Sequence, residues 1–234
     1  MAKIFEENAY TKEIETEIKV IDKENKTIEL EDTIFYGKSG GQPGDIGEII
    51  ANGKKKEVSE TIKSEDAIKN ILEDLNGLST NQKVTARINW NKRYKHMRMH
   101  SALHLMCAAI PLGVTGGQIG FEKSRLDFND PEKEINKEAL QEKINELMKQ
   151  DHEIIYEYID SNILESKPEL VRTMSVKPPK IDGKLRFVKI GNIDFQPCGG
   201  THVKTTREIG EIKIGKIENK GKMNRRVNIL LLND

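Results

Sequence analysis

The sequence predicts an α+β protein: a small β-barrel-like N-terminal domain over residues 1–88, then an α/β two-layer domain over residues 89–234. Three observations carry this expectation. Apolar and polar residues alternate through much of residues 4–50 and again from Lys83 to Trp90, the period of half-buried strands. At about Asn89 the period becomes helical. Beyond that point helical and strand-like stretches alternate to the end of the sequence.

Composition bounds the function classes. A chain of 234 residues is long enough to bury a sizeable core without disulfide support. Lys and Arg number 38 and Asp and Glu 38, so any contact with nucleic acid must use a local patch. Two cysteines, Cys107 and Cys198, make no disulfide framework. The first twenty residues, rich in Glu and Lys, lack the apolar core of a secretory signal, and no apolar run approaches the ~20 residues that cross a bilayer. The expected setting is therefore cytoplasmic and reducing, with no membrane partner.

In the first domain Ile14, Thr16, Ile18 and Val20 alternate with charges, and Thr27 to Leu30 and Thr33 to Tyr36 follow after short polar turns. The stretch Tyr36-Gly-Lys-Ser-Gly-Gly-Gln-Pro-Gly-Asp-Ile-Gly47 holds too many glycines for a regular element. Its backbone must bend sharply or approach something closely. No Gly-Lys-Ser/Thr ends it, so it is not a phosphate-binding loop of the familiar kind. Lys54 to Lys56 read as a solvated hairpin tip, and Ser64 to Gly77 fits either a helix or, from Ala67 to Leu72, a strand.

The second domain opens on a helix from about Asn91 to Ile110. Trp90, Tyr94, Met97, Ser101, Leu105 and Ala108 form its buried stripe, with His100 and His104 at the edge. Leu112 to Gly120 is glycine-rich, and Ser124 to Phe128 alternates like a strand. Asp130 followed by Pro131 predicts the start of a second helix, whose apolar face runs through Ile135, Ala139, Leu140, Ile144, Leu147 and Met148. A strand over Ile154 to Ile159, a short helix over Ser161 to Arg172, a break at Pro178-Pro179 and a strand over Leu185 to Ile190 follow. Gly210 to Glu218 and Arg225 to Leu232 close the sequence as a hairpin around a basic turn.

Two motifs carry chemistry. His100 and His104 stand four apart in the helix, about 40° from each other around its axis, so both imidazoles can reach one ion. Cys198-Gly-Gly-Thr-His202 repeats that spacing with a thiol and an imidazole. Three nitrogens and one sulfur suit a single tetrahedral zinc ion. Such a coincidence is improbable in a chain with five histidines and two cysteines, whereas His96, His152 and Cys107 read as ordinary core or surface residues. A zinc peptidase of the His-Glu type is disfavoured, because Ser101 occupies the position of the glutamate.

His-Ser-Ala-Leu-His at 100–104, Cys-Gly-Gly-Thr-His at 198–202 and Gly-Gly-Gln-Pro-Gly-Asp-Ile-Gly at 40–47 together resemble the free-standing alanyl-tRNA editing proteins, the AlaX family, related to the editing domain of alanyl-tRNA synthetase. The resemblance covers almost the whole chain. It departs at Gly37, where the family often has proline, and at Ser39, where it has a first glycine. What the resemblance implies is a trans-editing hydrolase acting on mischarged tRNA(Ala), chiefly Ser-tRNA(Ala) with Gly-tRNA(Ala) as a second substrate. A synthetase pocket shaped for alanine rejects an added hydroxyl by only about 100-fold, so a second site must remove the errors. The resemblance further implies that Thr33 recognises the serine hydroxyl, with Gln42 as its companion. Asp194 is a candidate to orient water, and backbone N–H groups at Gly40 and Gly41 or at Gly199 and Gly200 are candidates to line an oxyanion position. Arg93 and Arg98, within a basic cluster that includes Arg87, Lys92 and Lys95, are candidate tRNA contacts, as are Lys216, Lys220, Lys222, Arg225 and Arg226 around the last hairpin. The rivals are editing of Ser-tRNA(Thr), and a non-catalytic RNA-binding module in which zinc is structural.

Overall fold

A computed structural model describes residues 1–65, 67–167, 170–171, 180–181 and 183–232. The protein is mostly β, with few helices, and separates into two compact units, Met1–Lys95 and His96–Asp234.

The first unit is built on short and long strands: β1 (Ala2–Lys3), β2 (Glu13–Asp22), β3 (Thr27–Leu30), β4 (Asp32–Thr33), β5 (Gly47–Ala51), β6 (Lys54–Ser64), β7 (Ala67–Leu72) and β8 (Lys83–Ile88), with a four-residue helix α1 (Ile4–Glu7) after β1. Six of them close a barrel in the order β2-β3-β7-β6-β5-β8, which leaves no barrel edge unpaired. Its interior is filled from every wall, with Ile18, Ile28, Leu30, Phe35, Ile49, Val58, Leu72 and Val84 essentially without solvent contact.

Three local readings change in this unit. Val20 continues the inward alternation in the sequence, yet it is 41% exposed. The β2–β3 pairing slips between Ile18 and Val20, and one inserted residue turns the following side chains to the opposite face. The hairpin tip is Asn52-Gly53, both with positive φ (50° and 72°), as a tight hairpin turn demands. Lys54 to Lys56 already pair with Ala51 to Ile49 in the ladder. Ala67–Leu72 is a strand bonded to both β6 and β3, which resolves the Ser64 to Gly77 ambiguity against helix.

Helix α2 (Trp90–Ala109) follows β8 after one residue, and the division between the units falls inside it. From His96 to Cys107 every residue is buried, so this is a helix enclosed on all sides and not one with a single apolar stripe. Met99, Leu103 and Met106 lie off the expected stripe and are as inaccessible as Leu105 on it.

The second unit continues with β9 (Val114–Gln118), β10 (Lys123–Asn129), α3 (Lys137–Lys149), β11 (Ile154–Asp160), α4 (Ile163–Ser166), β12 (Lys180–Ile181), β13 (Lys184–Ile190), β14 (Asp194–Pro197), a 3-10 turn (Thr206–Ile209), β15 (Ile212–Lys220) and β16 (Asn224–Leu231). Its strands form two antiparallel sheets. One runs β15-β16-β10-β9; in the other β13 is central, with β11 along one side and β12 and β14 along the other. The helix expected at Asp130-Pro131 starts later. Asp130 Oδ1 and Oδ2 accept from the backbone N–H groups of Glu134 and Ile135 (2.9 and 3.3 Å), which ties a turn. Asn136 is the true cap, accepting from Ala139 N at 2.9 Å. Of the helix expected over Ser161 to Arg172, the segment Ile163–Ser166 forms α4, and Pro168, Glu169, Arg172, Pro178 and Pro179 lie outside the described residues. Among the described residues no helix is long and apolar enough to cross a membrane.

Candidate metal centre

The helical pitch of α2 stacks His100 over His104, with ring centroids 5.3 Å apart. β14 delivers the turn Cys198-Gly-Gly-Thr-His202 against them. Cys198 Sγ lies 3.4 Å from His100 Nε2 and 3.8 Å from His202 Nε2. One donor atom from each of His100, His104, Cys198 and His202 falls within 4.8 Å of the others, so the cluster could hold a metal ion. The three histidines are buried.

The carboxylate of Asp194 accepts from His104 Nδ1 at 2.7 Å, leaving Nε2 as the nitrogen for an ion. Gln196, two residues along the same strand and so on the same face, donates Nε2 to both Asp194 oxygens (3.1 and 2.9 Å). Ser101 Oγ on α2 accepts from Val203 N at 3.2 Å, tying the far end of the turn to the helix.

Protonation follows from these neighbours. Burial would raise the Cys198 thiol, but its electrostatic interaction and hydrogen bond with His100 prevail, holding it well below the ordinary thiol range. Burial and the charge of His100 push His202 well down, so its imidazole is neutral. Burial would lower His104 too, yet the hydrogen bond to Asp194 and the adjoining Cys198 thiolate raise it to about 10. A thiolate and a neutral imidazole are the ligand forms a metal needs, and binding would displace the proton from His104.

The structure brings His100, His104, Cys198, His202 and Asp194 together, with Gly199 and Gly200 in the turn between the last two ligands. Thr33, Gly40, Gly41, Gln42 and Arg93 belong to the barrel unit. There Thr33 Oγ1 accepts from Phe35 N at 3.1 Å, and the residue is fully buried. Gly40 and Gly41, both with positive φ (56° and 82°), form a turn closed by mutual backbone bonds between Ser39 and Gln42 (2.9 and 3.2 Å). Gly44 is required by close approach, since a Cβ there would stand 1.9 Å from Thr61 O.

The basic cluster expected to meet phosphate is largely spent inside the protein. Arg93 is completely buried: its guanidinium grips the Asp45 carboxylate and donates to Ala9 O (2.9 Å) and Ile34 O (2.6 Å). Arg98, also buried, donates Nε to Ile209 O at 2.9 Å. Both side chains are thus buried and engaged with protein partners. Arg87 pairs with Glu13 and Glu48. In the last hairpin, Arg226 pairs with Asp127, and Lys216 and Lys220 with Glu218.

Sequence reasoning passed over Tyr156, Arg186 and Gln196 around the ligands. Arg186 did leave a signal, a charge within Leu185-Arg-Phe-Val, where all four residues are buried.

Comparison with known proteins meets this geometry. The chain is 34% identical over 235 residues to the alanyl-tRNA editing protein AlaX-M of Methanosarcina barkeri, covering 96% of each.

The chain belongs to the AlaX family.

AlaX-M of Saccharolobus solfataricus is 35% identical over 230 residues, again with 96% of each covered. AlaX-L of Pyrococcus horikoshii is 31% identical over 94% of this chain and 55% of its own length. Residues 3–92 match the family described as tRNA synthetases class II (A), and residues 185–228 the threonyl and alanyl tRNA synthetase second additional domain. The latter match spans Arg186, Asp194, Gln196, Cys198 and His202, and so includes the residues that meet His100 and His104.

Proposed function

We propose that this AlaX-family chain is a trans-editing deacylase that hydrolyses the aminoacyl ester of Ser-tRNA(Ala), with Gly-tRNA(Ala) as a second substrate, in the cytoplasm. The observation that carries the proposal is the buried three-imidazole, one-thiolate cluster in a chain similar over 96% of its length to proteins named for alanyl-tRNA editing.

The donor set fits zinc, whose preference is tetrahedral nitrogen and sulfur ligation. The Cys198 thiolate and the Asp194 carboxylate behind His104 would together balance a divalent charge in a dry site. When bound, zinc supplies Lewis-acid polarisation or a fixed point for the substrate. Asp194 keeps His104 in one tautomer, a positioning part that supplements the water-orienting part proposed for it. The Gly199 and Gly200 N–H groups, or those of Gly40 and Gly41, are proposed as donors to the oxyanion that forms when water attacks the ester carbonyl. Collapse of that oxyanion breaks the acyl C–O bond and releases serine and the tRNA hydroxyl. Thr33 and Gln42 are proposed to recognise serine, since a hydrogen-bonding group that alanine leaves unpaired costs about 1–3 kcal/mol. Lys222 and Arg225 at the last hairpin, with Lys92, are the proposed phosphate contacts.

A second reading rests on the donor count. Four protein ligands describe a closed site, as in structural zinc, and an RNA-binding module would need no more. The deciding experiment is deacylation of Ser-tRNA(Ala), Gly-tRNA(Ala), Ala-tRNA(Ala) and Ser-tRNA(Thr) by the zinc-loaded protein, beside a His100→Ala variant shown to be folded and a chelator-treated sample followed by circular dichroism. Loss of serine from tRNA(Ala) with alanine spared, abolished by chelation while the fold persists, is the expected result. Cleavage of Ser-tRNA(Thr) alone would move the substrate to the threonine system. Collapse of the fold on chelation, with no cleavage before it, would favour the structural reading.

A further inference from the structure

A second assembly holds the main chain of the Cys198–His202 turn. Arg186 on β13 is 1% exposed. Its backbone carbonyl accepts from Cys198 N at 3.0 Å. Its side chain turns back on the same residue: Nη1 donates to Cys198 O at 2.8 Å and to Gly200 O at 2.9 Å. One residue thus holds both peptide groups of a ligand residue and a third group two positions further on. The guanidinium carbon sits 3.7 Å from the ring centroid of Tyr156. In the β11–β13 ladder Tyr158 stands opposite Arg186, which puts Tyr156 one rung away on the same face. The Tyr156 hydroxyl accepts from His202 N at 3.2 Å. The two ends of the turn, Cys198 and His202, are therefore each held through the main chain, one by the cation and one by the ring stacked on it.

We propose that Arg186, seated on Tyr156, is a positioning residue that keeps the Cys198-Gly-Gly-Thr-His202 turn in its metal-ligating form. A five-residue segment containing two glycines has many backbone conformations, and only those that set Sγ and Nε2 on one ion are useful. Two charge-assisted hydrogen bonds from one rigid, planar donor select among them before metal arrives. Lysine is a poor substitute, because an ammonium has no planar face to lay on the ring while its nitrogen takes the place of Nη1 between the two carbonyls. The same grip fixes a backbone donor. In a trans peptide C=O and N–H point in opposite directions, so binding Cys198 O to Arg186 turns the Gly199 N–H away from it.

The inference rests on the metal-centre reading and not on the choice of tRNA. It is tested by zinc affinity in chelator competition and by the visible spectrum of the cobalt(II)-loaded protein, neither of which requires turnover. With Arg186→Met, the expected result is a folded protein whose zinc affinity falls about 10–100-fold and whose thiolate-to-cobalt band weakens or shifts. Arg186→Lys should recover only part of both. If Arg186→Met lowers thermal stability while zinc affinity stays within about twofold and the cobalt spectrum is unchanged, the residue is merely structural and the proposal fails. Should Arg186→Met not fold, Tyr156→Leu decides. It removes both the ring beneath the guanidinium and the acceptor for His202 N–H, leaving Arg186 unseated, so weaker zinc binding with an altered cobalt spectrum supports the proposal, and parent-like behaviour overturns it. A parent protein that binds zinc but cleaves none of the four aminoacyl-tRNAs would refute the editing assignment and leave this result standing.

Discussion

In each unit of the protein a buried arginine grips a glycine-rich turn, and the two pairs work differently. In the barrel unit Arg93 meets a carboxylate, Asp45, within the loop, along with two carbonyls elsewhere in the unit. In the second unit Arg186 meets carbonyls of the turn itself and the face of Tyr156. The first pair fixes where a loop lies; the second fixes how the peptide groups between Cys198 and His202 are aimed. Glycine density announces an unusual backbone in both places. Only the donors flanking the second turn announce chemistry.

The comparison can be broken at several points. Arg93→Met should have the largest effect, about 3–5 kcal/mol lost in urea unfolding, because it strands the Asp45 charge in the interior. Pairing it with Asp45→Leu should return most of that loss, whereas no recovery would mean that the carbonyl contacts dominate. Next comes Asp194→Ala, expected to weaken zinc binding about 10–100-fold through a freed His104 ring, read by chelator competition. Unchanged affinity would show that the packing around His104 orients it without help. Gly44→Ala should cost about 1–3 kcal/mol, since its Cβ runs into the backbone of Thr61. Gly40→Ala, with open space around its Cβ but φ of +56°, should cost only about 1 kcal/mol; equal costs at the two sites would contradict the division between close approach and left-handed turning.

The smallest effect concerns Asp127. Burial would raise this carboxyl, but hydrogen bonds from Arg226 and Arg125 outweigh it and hold it below its usual value of 3.8. A carboxylate depressed in the folded state adds stability above the unfolded value, and that contribution disappears as pH falls through the folded one. Acid unfolding of Asp127→Asn should therefore show a shallower dependence below pH 3.8 than the parent does. Superimposable curves would show that the three-residue network is too solvated to matter.

Legibility in the sequence tracked how local the physics was. The barrel strands showed through the period-two pattern because each needs one face inside, and the four donors showed through spacing because helical pitch alone brings His100 and His104 together. Val20 misled because a bulge is a property of two paired strands, and only one of them is seen at a time. Lys54 to Lys56 drew the hairpin tip away from Asn52-Gly53, although that dipeptide is the stronger turn signal. Arg93 read as a phosphate contact because a cluster of positive charges says nothing about which member faces inward. Asp45, its partner, lies 48 positions away, a separation that no local pattern spans. Arg186 went unnoticed for the same reason: its work is done on main-chain carbonyls, which carry no residue-specific mark.

His100 and Cys198 are 98 positions apart in the chain. At ordinary synthesis rates of about 5–20 residues per second, the helix bearing two imidazoles exists for roughly 5–20 s before its sulfur partner has been made. During that interval the nascent protein offers only a two-nitrogen half-site, with Asp194 and its hold on His104 also still to come. An ion held by all four donors would thus be taken up only once Cys198 and His202 have been made. A shortage of any such ion would leave completed molecules with four waiting donors, not stalled ones, each still open to loading later.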